Sequence, residues 1–149
     1  MTVERKPECP ARTRSVMQCY PVPDLQRSLV DKFYRAHRSS MRGKGEATLW
    51  VAKDGEIVGA LNLTPLAGGH WLTGVFVAPS RRRQGVAGRL IEAALGEVEG
   101  PVWLFCDPEL TGFYQRLGFV ATEQLPPELA DRLTRYRQTK TLIALVHQC

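Results

Sequence analysis

VFVAPSRRRQGVAGRLI, residues 75–91, is the stretch from which the fold of this chain can be worked out. Its first three residues are apolar and favour a β-strand, and Pro79 cannot continue a strand interior. After the run of three arginines, apolar residues recur at helical spacing. They are Ala87, Leu90, Ile91, Ala94, Leu95 and Val98. The stretch therefore predicts a strand, a tight basic loop and a helix.

The junction between this strand and this helix has the chemistry of an anion site. The first N–H groups of a helix have no internal partner and carry the positive pole of its dipole. Gly85 and Gly88 have no side chain to keep a ligand away from the backbone, and Arg81, Arg82 and Arg83 add positive charge. The pattern indicates a phosphate cradle. An ordinary strand–helix turn with a solvated basic rim is the alternative.

Composition narrows the function classes. The chain has 149 residues, a net charge of +5 and no apolar run near the roughly 20 residues that span a bilayer. Residues 1–14 lack the apolar core of a signal peptide. The four cysteines fit neither a disulfide framework nor a zinc site. We therefore expect a cytoplasmic protein with reduced thiols, no metal and no membrane partner.

Turn signals separate short apolar segments along the rest of the chain. Residues 1–13 are expected to form a flexible tail. Strands are predicted at 14–20, 48–53, 57–63, 70–77, 102–106, 119–122 and 139–146, and helices at about 25–37, 87–98, 108–117 and 124–138. Asp54-Gly55 predicts a hairpin, and Pro65 with Gly68-Gly69 predicts the next turn. The continuous apolar run 102–106 is typical of a strand buried on both faces, so residues 75–106 predict a right-handed βαβ crossover.

Two of the predicted helices have an expected inner stripe. In the first helix, Asp24 is the expected N-cap, and the apolar stripe is Leu25, Leu29, Val30 and Phe33. In the third helix, Asp107 is the expected N-cap with a proline after it, and the stripe is Leu110, Phe113 and Leu117. The outer face of the first helix is basic, and charged residues of this kind are typical of a helix face exposed to solvent.

Two motifs resemble those of one enzyme family. The pattern Val77-x-Pro79-x-x-Arg82-x-x-Gly85-x-Ala87 is similar to the acetyl-CoA loop, R/Q-x-x-G-x-G/A, of the GCN5-related N-acetyltransferases, or GNAT family. Phe113-Tyr114-x-x-Leu117-Gly118-Phe119 resembles the F-Y-x-x-L-G-F signature of the same family, in the family's order and spacing. The nucleotide P-loop pattern is absent. The resemblance covers residues 48–120.

The resemblance implies a fold. The expected class is α/β in the broad α+β sense, with a mixed, mostly antiparallel sheet of about six or seven strands and helices on both faces. Two central parallel strands, 70–77 and 102–106, are expected to splay apart as a V. Residues 1–149 are expected to form a single domain of this kind.

The resemblance also implies transfer of an acetyl group from acetyl-CoA to a primary amine by direct attack in a ternary complex. The pyrophosphate is expected on the amides of residues 83–88, and the pantetheine arm along the strand that ends at Val77. A backbone N–H near Val77 is the expected donor to the thioester carbonyl. The expected cofactor-binding residues are Phe76, Val77, Arg82, Arg83, Gln84, Gly85, Val86, Ala87, Gly88, Asp107 and Tyr114. Asp107 stands where many family members have asparagine, and its charge is expected to repel or redirect part of the cofactor.

Tyr114 is the expected catalytic acid, because a phenol can give a proton to the leaving thiolate. A structural aromatic beside Phe113 is the alternative. Many family members carry a glutamate as general base where this chain has Thr73. His70, Glu46 and a water held by Thr73 are therefore the candidates for the base.

Three further alternatives are open. Cys106 follows the site strand, but no histidine is placed to activate it, so a buried inert thiol is expected. The missing glutamate allows a non-catalytic acyl-CoA sensor. The basic residues 27–38 allow acetylation of an aminoacyl-tRNA, although aromatic and basic residues do not interleave as in a nucleic-acid platform, so nucleic acid is not the expected partner. A homodimer formed through the last strand is a further expectation.

Overall fold

A computed structural model describes residues 17–37 and 46–148. The strands are β1 Gln18–Pro21, β2 Thr48–Asp54, β3 Glu56–Leu66, β4 Gly69–Val77, β5 Val102–Cys106, β6 Val120–Ala121 and β7 Ile143–His147. The α-helices are α1 Arg27–Ala36, α2 Val86–Leu95, α3 Thr111–Arg116 and α4 Pro127–Tyr136, and short 3-10 helices cover Asp24–Gln26, Pro79–Arg81 and Pro108–Leu110. No helix within these ranges is long and apolar enough to cross a membrane. The expected tail at 1–13 lies outside the described residues.

The strands form one mixed sheet in the order β1-β2-β3-β4-β5-β7-β6. Every neighbouring pair is antiparallel except β4 and β5, which run parallel. Within these two strands the pairing is limited to His70 with Val102 and Trp71 with Trp103. Beyond that point β4 and β5 part, which confirms the predicted parallel V. The fold class is the predicted one.

A bulge in β4 accompanies the splay. Ala60 pairs with Phe76, but Asn62, two residues further along β3, pairs with Thr73, so β4 holds one more residue than β3 in this interval. The extra residue bends the strand and increases its twist. Gly74 lies at this point with φ +66°, in the left-handed region that favours glycine.

Helices cover both faces of the sheet. Alternate residues of a strand face opposite sides, and in β2 Trp50 and Ala52 join one core while Leu49 and Val51 join another. The first core contains α2 and α3, and the second contains α1. Helix α4 packs through Leu129 against the alternate residues of β5 and β7, on the face of α1.

Some local predictions were wrong. Leu25 is 97% exposed, because a 3-10 turn at Asp24–Gln26 precedes α1 and points this side chain to solvent. Asp24 therefore does not cap α1, whose N-cap is Gln26. Pro65 lies inside β3 rather than in a turn. It is tolerated there because β2 ends its pairing at Leu63, so no strand on that side needs its missing N–H.

The last strand lies inside the sheet rather than at its edge. β5 pairs with β7 along residues 143–147, and β6 pairs with Leu145 and Val146. A homodimer formed through this strand stays a prediction.

Candidate active site

The head of α2 presents backbone N–H groups with no side-chain cap. Gly85 is its N-cap with φ +80°, and the first helical bond runs from the Arg89 N–H to the Gly85 carbonyl at 3.1 Å. The amides of residues 86–88 precede that bond and have no helical partner. Arg83, a non-glycine residue, also has a positive φ of 66°. Strain of this kind is typical of functional sites, and turn conformations can direct successive N–H groups toward an anion.

A groove leads away from this helix end. It consists of two adjoining cavities of about 270 and 420 Å³ that share Val77, Arg82, Ala87 and Phe113. The smaller is also lined by Arg81, Arg83, Gly85, Val86 and Gly88, and the larger by Val75, Phe76, Leu110 and Tyr114. One end is thus basic and rich in backbone amides, and the other is apolar. This gradient suits a ligand with a phosphate at one end and an uncharged arm at the other.

Nine of the eleven residues expected to bind the cofactor line this groove; Gln84 and Asp107 do not. Four residues outside the expected cofactor-binding set also line the groove: Val75, Arg81, Leu110 and Phe113. Leu110 was assigned to the inner stripe of its helix, yet it is 47% exposed and faces the groove. Helical periodicity marks a side chain as apolar but does not distinguish a core from an apolar ligand site.

Arg82 is held against the groove wall. Its Nε donates to the Val77 carbonyl at 2.9 Å, and its guanidinium lies 5.1 Å from the centre of the Phe76 ring. The side chain therefore ties the basic loop to the end of β4. Arg82 lines both cavities of the groove.

The three arginines differ in their contacts. Arg81 pairs with Asp54 at 2.7 Å and donates to the Gln84 side chain at 3.1 Å. It thereby anchors the loop to the β2–β3 turn, and its charge is largely offset. Gln84 also holds the loop in place, because its side-chain amide donates to the Ser80 carbonyl at 3.3 Å. Arg83 is exposed at the basic end of the groove, and no hydrogen bond or ion pair joins its side chain to another described residue.

The junction after β5 is capped by a side chain. The Asp107 carboxylate accepts a hydrogen bond from the Glu109 N–H at 2.9 Å, at the start of the 3-10 helix that leads into α3. This confirms the predicted capping role. Because the Asp107 carboxylate caps this turn, it stabilises the turn and lies outside the groove.

Tyr114 is buried at the inner end of the groove. Its side chain is 7% exposed and packs edge-on against Phe113 and Phe119. Burial raises the pKa of Tyr114 to about 12, and the nearby Cys106 thiol adds to the rise. The hydroxyl is therefore protonated throughout the physiological range, as a proton or hydrogen-bond donor must be.

The Cys106 thiol lies in the same hydrophobic core as Tyr114. Burial raises the pKa of Cys106, partly opposed by a hydrogen bond with Thr111. A thiol held in its neutral form is a poor nucleophile. The structure thus agrees with the expectation of an inert side chain.

His70 and Glu46, two candidates for the general base, lie away from the groove. His70 belongs to the closed end of the V, paired with Val102, and burial lowers the pKa of its imidazole. Glu46 is exposed near the start of α1, beside Asp24 and Thr48. Of the described residues that line the groove, none is a carboxylate or an imidazole. In residues 17–37 and 46–148, no three histidine, cysteine or acidic side chains cluster to hold a metal ion.

A protein-family model identifies the family to which this fold belongs. The model of the acetyltransferase (GNAT) domain matches residues 45–121, just over half of the chain. The chain belongs to the GNAT acetyltransferase family. The match includes the head of α2, the groove and Tyr114. The site described above therefore lies within the GNAT domain and contains the family's motifs. No curated protein matches the chain significantly.

Solved structures share the GNAT fold of this chain at low identity. An aminoglycoside 6'-N-acetyltransferase complexed with coenzyme A is 17% identical, with a TM-score of 0.65 over 87% of this chain and 96% of that chain. ElaA of Escherichia coli is 14% identical, with a TM-score of 0.62 over 89% and 100%. A Mycobacterium tuberculosis protein in complex with CoA is 15% identical, with a TM-score of 0.61 over 89% and 99%. At these identities the likeness shows the fold.

Proposed function

We propose that this GNAT protein is an acetyl-CoA-dependent N-acetyltransferase that acts on a primary amine in a ternary complex. One observation carries the proposal: an uncapped helix with a left-handed glycine opens onto a groove that ends at a buried, protonated tyrosine. Two of the neighbouring structures hold coenzyme A, which supports an acyl-CoA ligand.

The groove would orient the two ends of the ligand separately. The amides of residues 86–88 would donate to the pyrophosphate, and Arg83 would supply a charge beside it. The apolar walls formed by Val75, Phe113 and Leu110 would exclude water from the pantetheine arm. Backbone groups of β4 beyond the last pair with β5 would hydrogen-bond that arm as an added strand would.

Acetyl-CoA supplies an activated acetyl group, whose bond to sulfur is exchanged for a bond to the amine nitrogen. Backbone N–H groups near Val77 would polarise the carbonyl. Tyr114 would donate a hydrogen bond to the sulfur as it takes up the electron pair of the broken bond. Because the pKa of a free thiol is about 8.5, full proton transfer from a tyrosine whose pKa is about 12 is uphill. Tyr114 therefore keeps its proton throughout and stabilises the departing thiolate by this hydrogen bond, while the proton lost by the amine passes to water.

The amine would enter in its neutral form from solvent. No carboxylate or imidazole in the described lining of the groove can accept its proton. Thr73, half-buried on β4 where the strands part, would hold a water that takes this proton. The rate should then rise with pH along the titration of the acceptor amine.

The test is an acceptor screen that follows the release of free CoA. Amino acids, polyamines, aminoglycosides and peptides with free N-termini would each be supplied with acetyl-CoA. Turnover that depends on the amine, with one acetylated product for each CoA released, supports the proposal. Binding of acetyl-CoA without turnover in the full panel would favour the second candidate, a non-catalytic acyl-CoA-binding module. The absence of a carboxylate or imidazole among the described groove residues is the observation in its favour.

A further inference from the structure

The bulge in β4 is hydrogen-bonded to a tyrosine of α1, the helix on the face of the sheet opposite α2. The Tyr34 hydroxyl, on α1, donates to the Gly74 carbonyl at 2.7 Å, across forty residues of sequence. Tyr34 has no exposed surface. A bulge carbonyl released from strand pairing needs a partner if it is buried, and this hydroxyl provides one.

The space around the bulge is too small for a side chain at Gly74. A Cβ added to Gly74 would lie 2.7 Å from the Asn62 amide nitrogen and 3.2 Å from the Tyr34 hydroxyl. The left-handed φ of Gly74 is therefore matched by close packing of two polar side chains. Burial raises the pKa of Tyr34, so its hydroxyl keeps the proton that it donates.

The bulge controls the part of β4 that forms the groove wall. Gly74 immediately precedes Val75, Phe76 and Val77, all of which line the larger cavity. The neighbours of Tyr34 on α1 support the same segment, because the rings of Phe33 and His37 contact Phe76 at 5.9 and 6.0 Å between centres. A rotation at Gly74 would turn the N–H and carbonyl groups of all three residues.

We infer that Tyr34 is a positioning residue for acyl transfer: through Gly74 it fixes the direction of the β4 backbone groups that meet the acyl-CoA. The catalytic part of this inference rests on the proposed function. Tyr34 lies in the core of the opposite face and does not line the groove. Its effect is therefore on the orientation of groups that touch the ligand, while the phosphate end at Gly85 is left unchanged.

Tyr34→Phe removes the hydroxyl and keeps the ring. We expect kcat to fall about tenfold or more, since a small misplacement of reacting groups costs up to ~100-fold in rate. The KM for acetyl-CoA should change by less than about threefold, because the phosphate cradle supplies much of the charge-assisted binding. Tyr20→Phe is the matched control. It removes a hydroxyl from a half-buried ring packed on the same core, but on β1, away from the bulge, and it should leave kcat unchanged.

Hydrogen exchange gives a readout that does not depend on turnover. In Tyr34→Phe, the amides of residues 74–77 should exchange at least about tenfold faster at a temperature where the protein is fully folded, while β2 and α2 keep wild-type rates. Equal exchange at 74–77 in the variant and the wild type would overturn the inference, as would an unchanged kcat in an active enzyme. If the wild type acetylates no amine, the proposed function fails, and the exchange result alone decides whether Tyr34 holds the bulge.

Discussion

The two parallel strands of this protein each run into a helical turn, and the two junctions are built in opposite ways. After β4, the helix begins at Gly85 with no side chain to satisfy its first amides. After β5, the turn begins at Asp107, whose carboxylate accepts from the Glu109 N–H. The difference shows which junction is available to an anion: in the first, amides are left for a ligand, and in the second, the protein supplies its own carboxylate.

The second junction has another task, because it places Tyr114. The cap at Asp107 fixes the start of the short helical segment whose next turns carry Leu110, Phe113 and Tyr114 to the groove. We propose that the first junction binds the phosphates of the ligand and that the second positions a hydrogen-bond donor. Variants that exchange or remove these features test this division.

The largest effect is expected from making the first junction resemble the second. Gly85→Asp would place a carboxylate among the amides at the head of α2, where it would occupy them and repel phosphate. We expect CoA affinity to fall by at least about 100-fold, since charge-assisted hydrogen bonds contribute roughly 1.5–3 kcal/mol each. Isothermal titration with CoA measures this. Gly85→Asn, similar in size but uncharged, should lose less. Wild-type affinity in Gly85→Asp would place the phosphates elsewhere.

Removing the donor at the second junction should act on turnover alone. In Tyr114→Phe, we expect kcat to fall by about 100-fold, within the range for loss of an acid–base group. The KM for acetyl-CoA should stay within about twofold of wild type, because the amides at the head of α2 are untouched. Steady-state kinetics with the best acceptor from the screen measure both constants. Full turnover in this variant would remove Tyr114 from the mechanism.

A smaller effect is expected from backbone strain at the first junction. Gly85 and Gly55 have φ of +80° and +78°, and neither would meet an atom within 4 Å if it gained a Cβ. Alanine at either position should therefore cost a similar ~1–2 kcal/mol of stability. Only Gly85→Ala should also weaken CoA binding, by about tenfold, because its methyl group would stand where the ligand approaches the backbone. Equal CoA affinity in the two variants would show that the close approach does not occur.

At the second junction, the cap should matter for stability and little for CoA. Asp107→Ala should lower the free energy of unfolding by about 1 kcal/mol, and Asp107→Asn, which can still cap, should not. Urea unfolding measures the difference. CoA affinity should rise slightly in Asp107→Asn, because a negative charge near the site is removed. A large loss of CoA affinity in the asparagine variant would instead make Asp107 a direct ligand of the cofactor.

The smallest effect at neutral pH concerns the titration of Tyr114. Its pKa of about 12 in the folded protein exceeds the value of about 10 in an unfolded chain. The contribution of this pKa difference to the free energy of unfolding is fully present below pH 10. It is lost as the pH rises from 10 to about 12, because the unfolded state releases the proton first. Chemical unfolding between pH 8 and 11, with tyrosinate absorbance recorded alongside, measures this. The decline should be shallower in Tyr114→Phe.

Much of the fold was accessible from local patterns. The strand–loop–helix at 75–91 was confirmed because proline, glycine and helical periodicity act over a few residues. The predicted apolar inner stripes of α1 and α3 were partly wrong. Leu25 and Leu110 are apolar and correctly spaced, yet one faces solvent and the other faces the groove. Spacing predicts the face on which a residue lies, but not what that face meets.

By itself, the sequence determined the elements of the site: a glycine at the head of a helix, a basic loop before it and a tyrosine one crossover later. The backbone conformation of each element depends on residues close to it in sequence, and a short stretch of sequence contains those residues. Only the tertiary structure decided where β4 and β5 part and how strongly Tyr114 holds its proton. Both depend on contacts between distant segments, such as Tyr34 with Gly74, and on burial from water by side chains of several elements. Those effects arise only when the chain has folded.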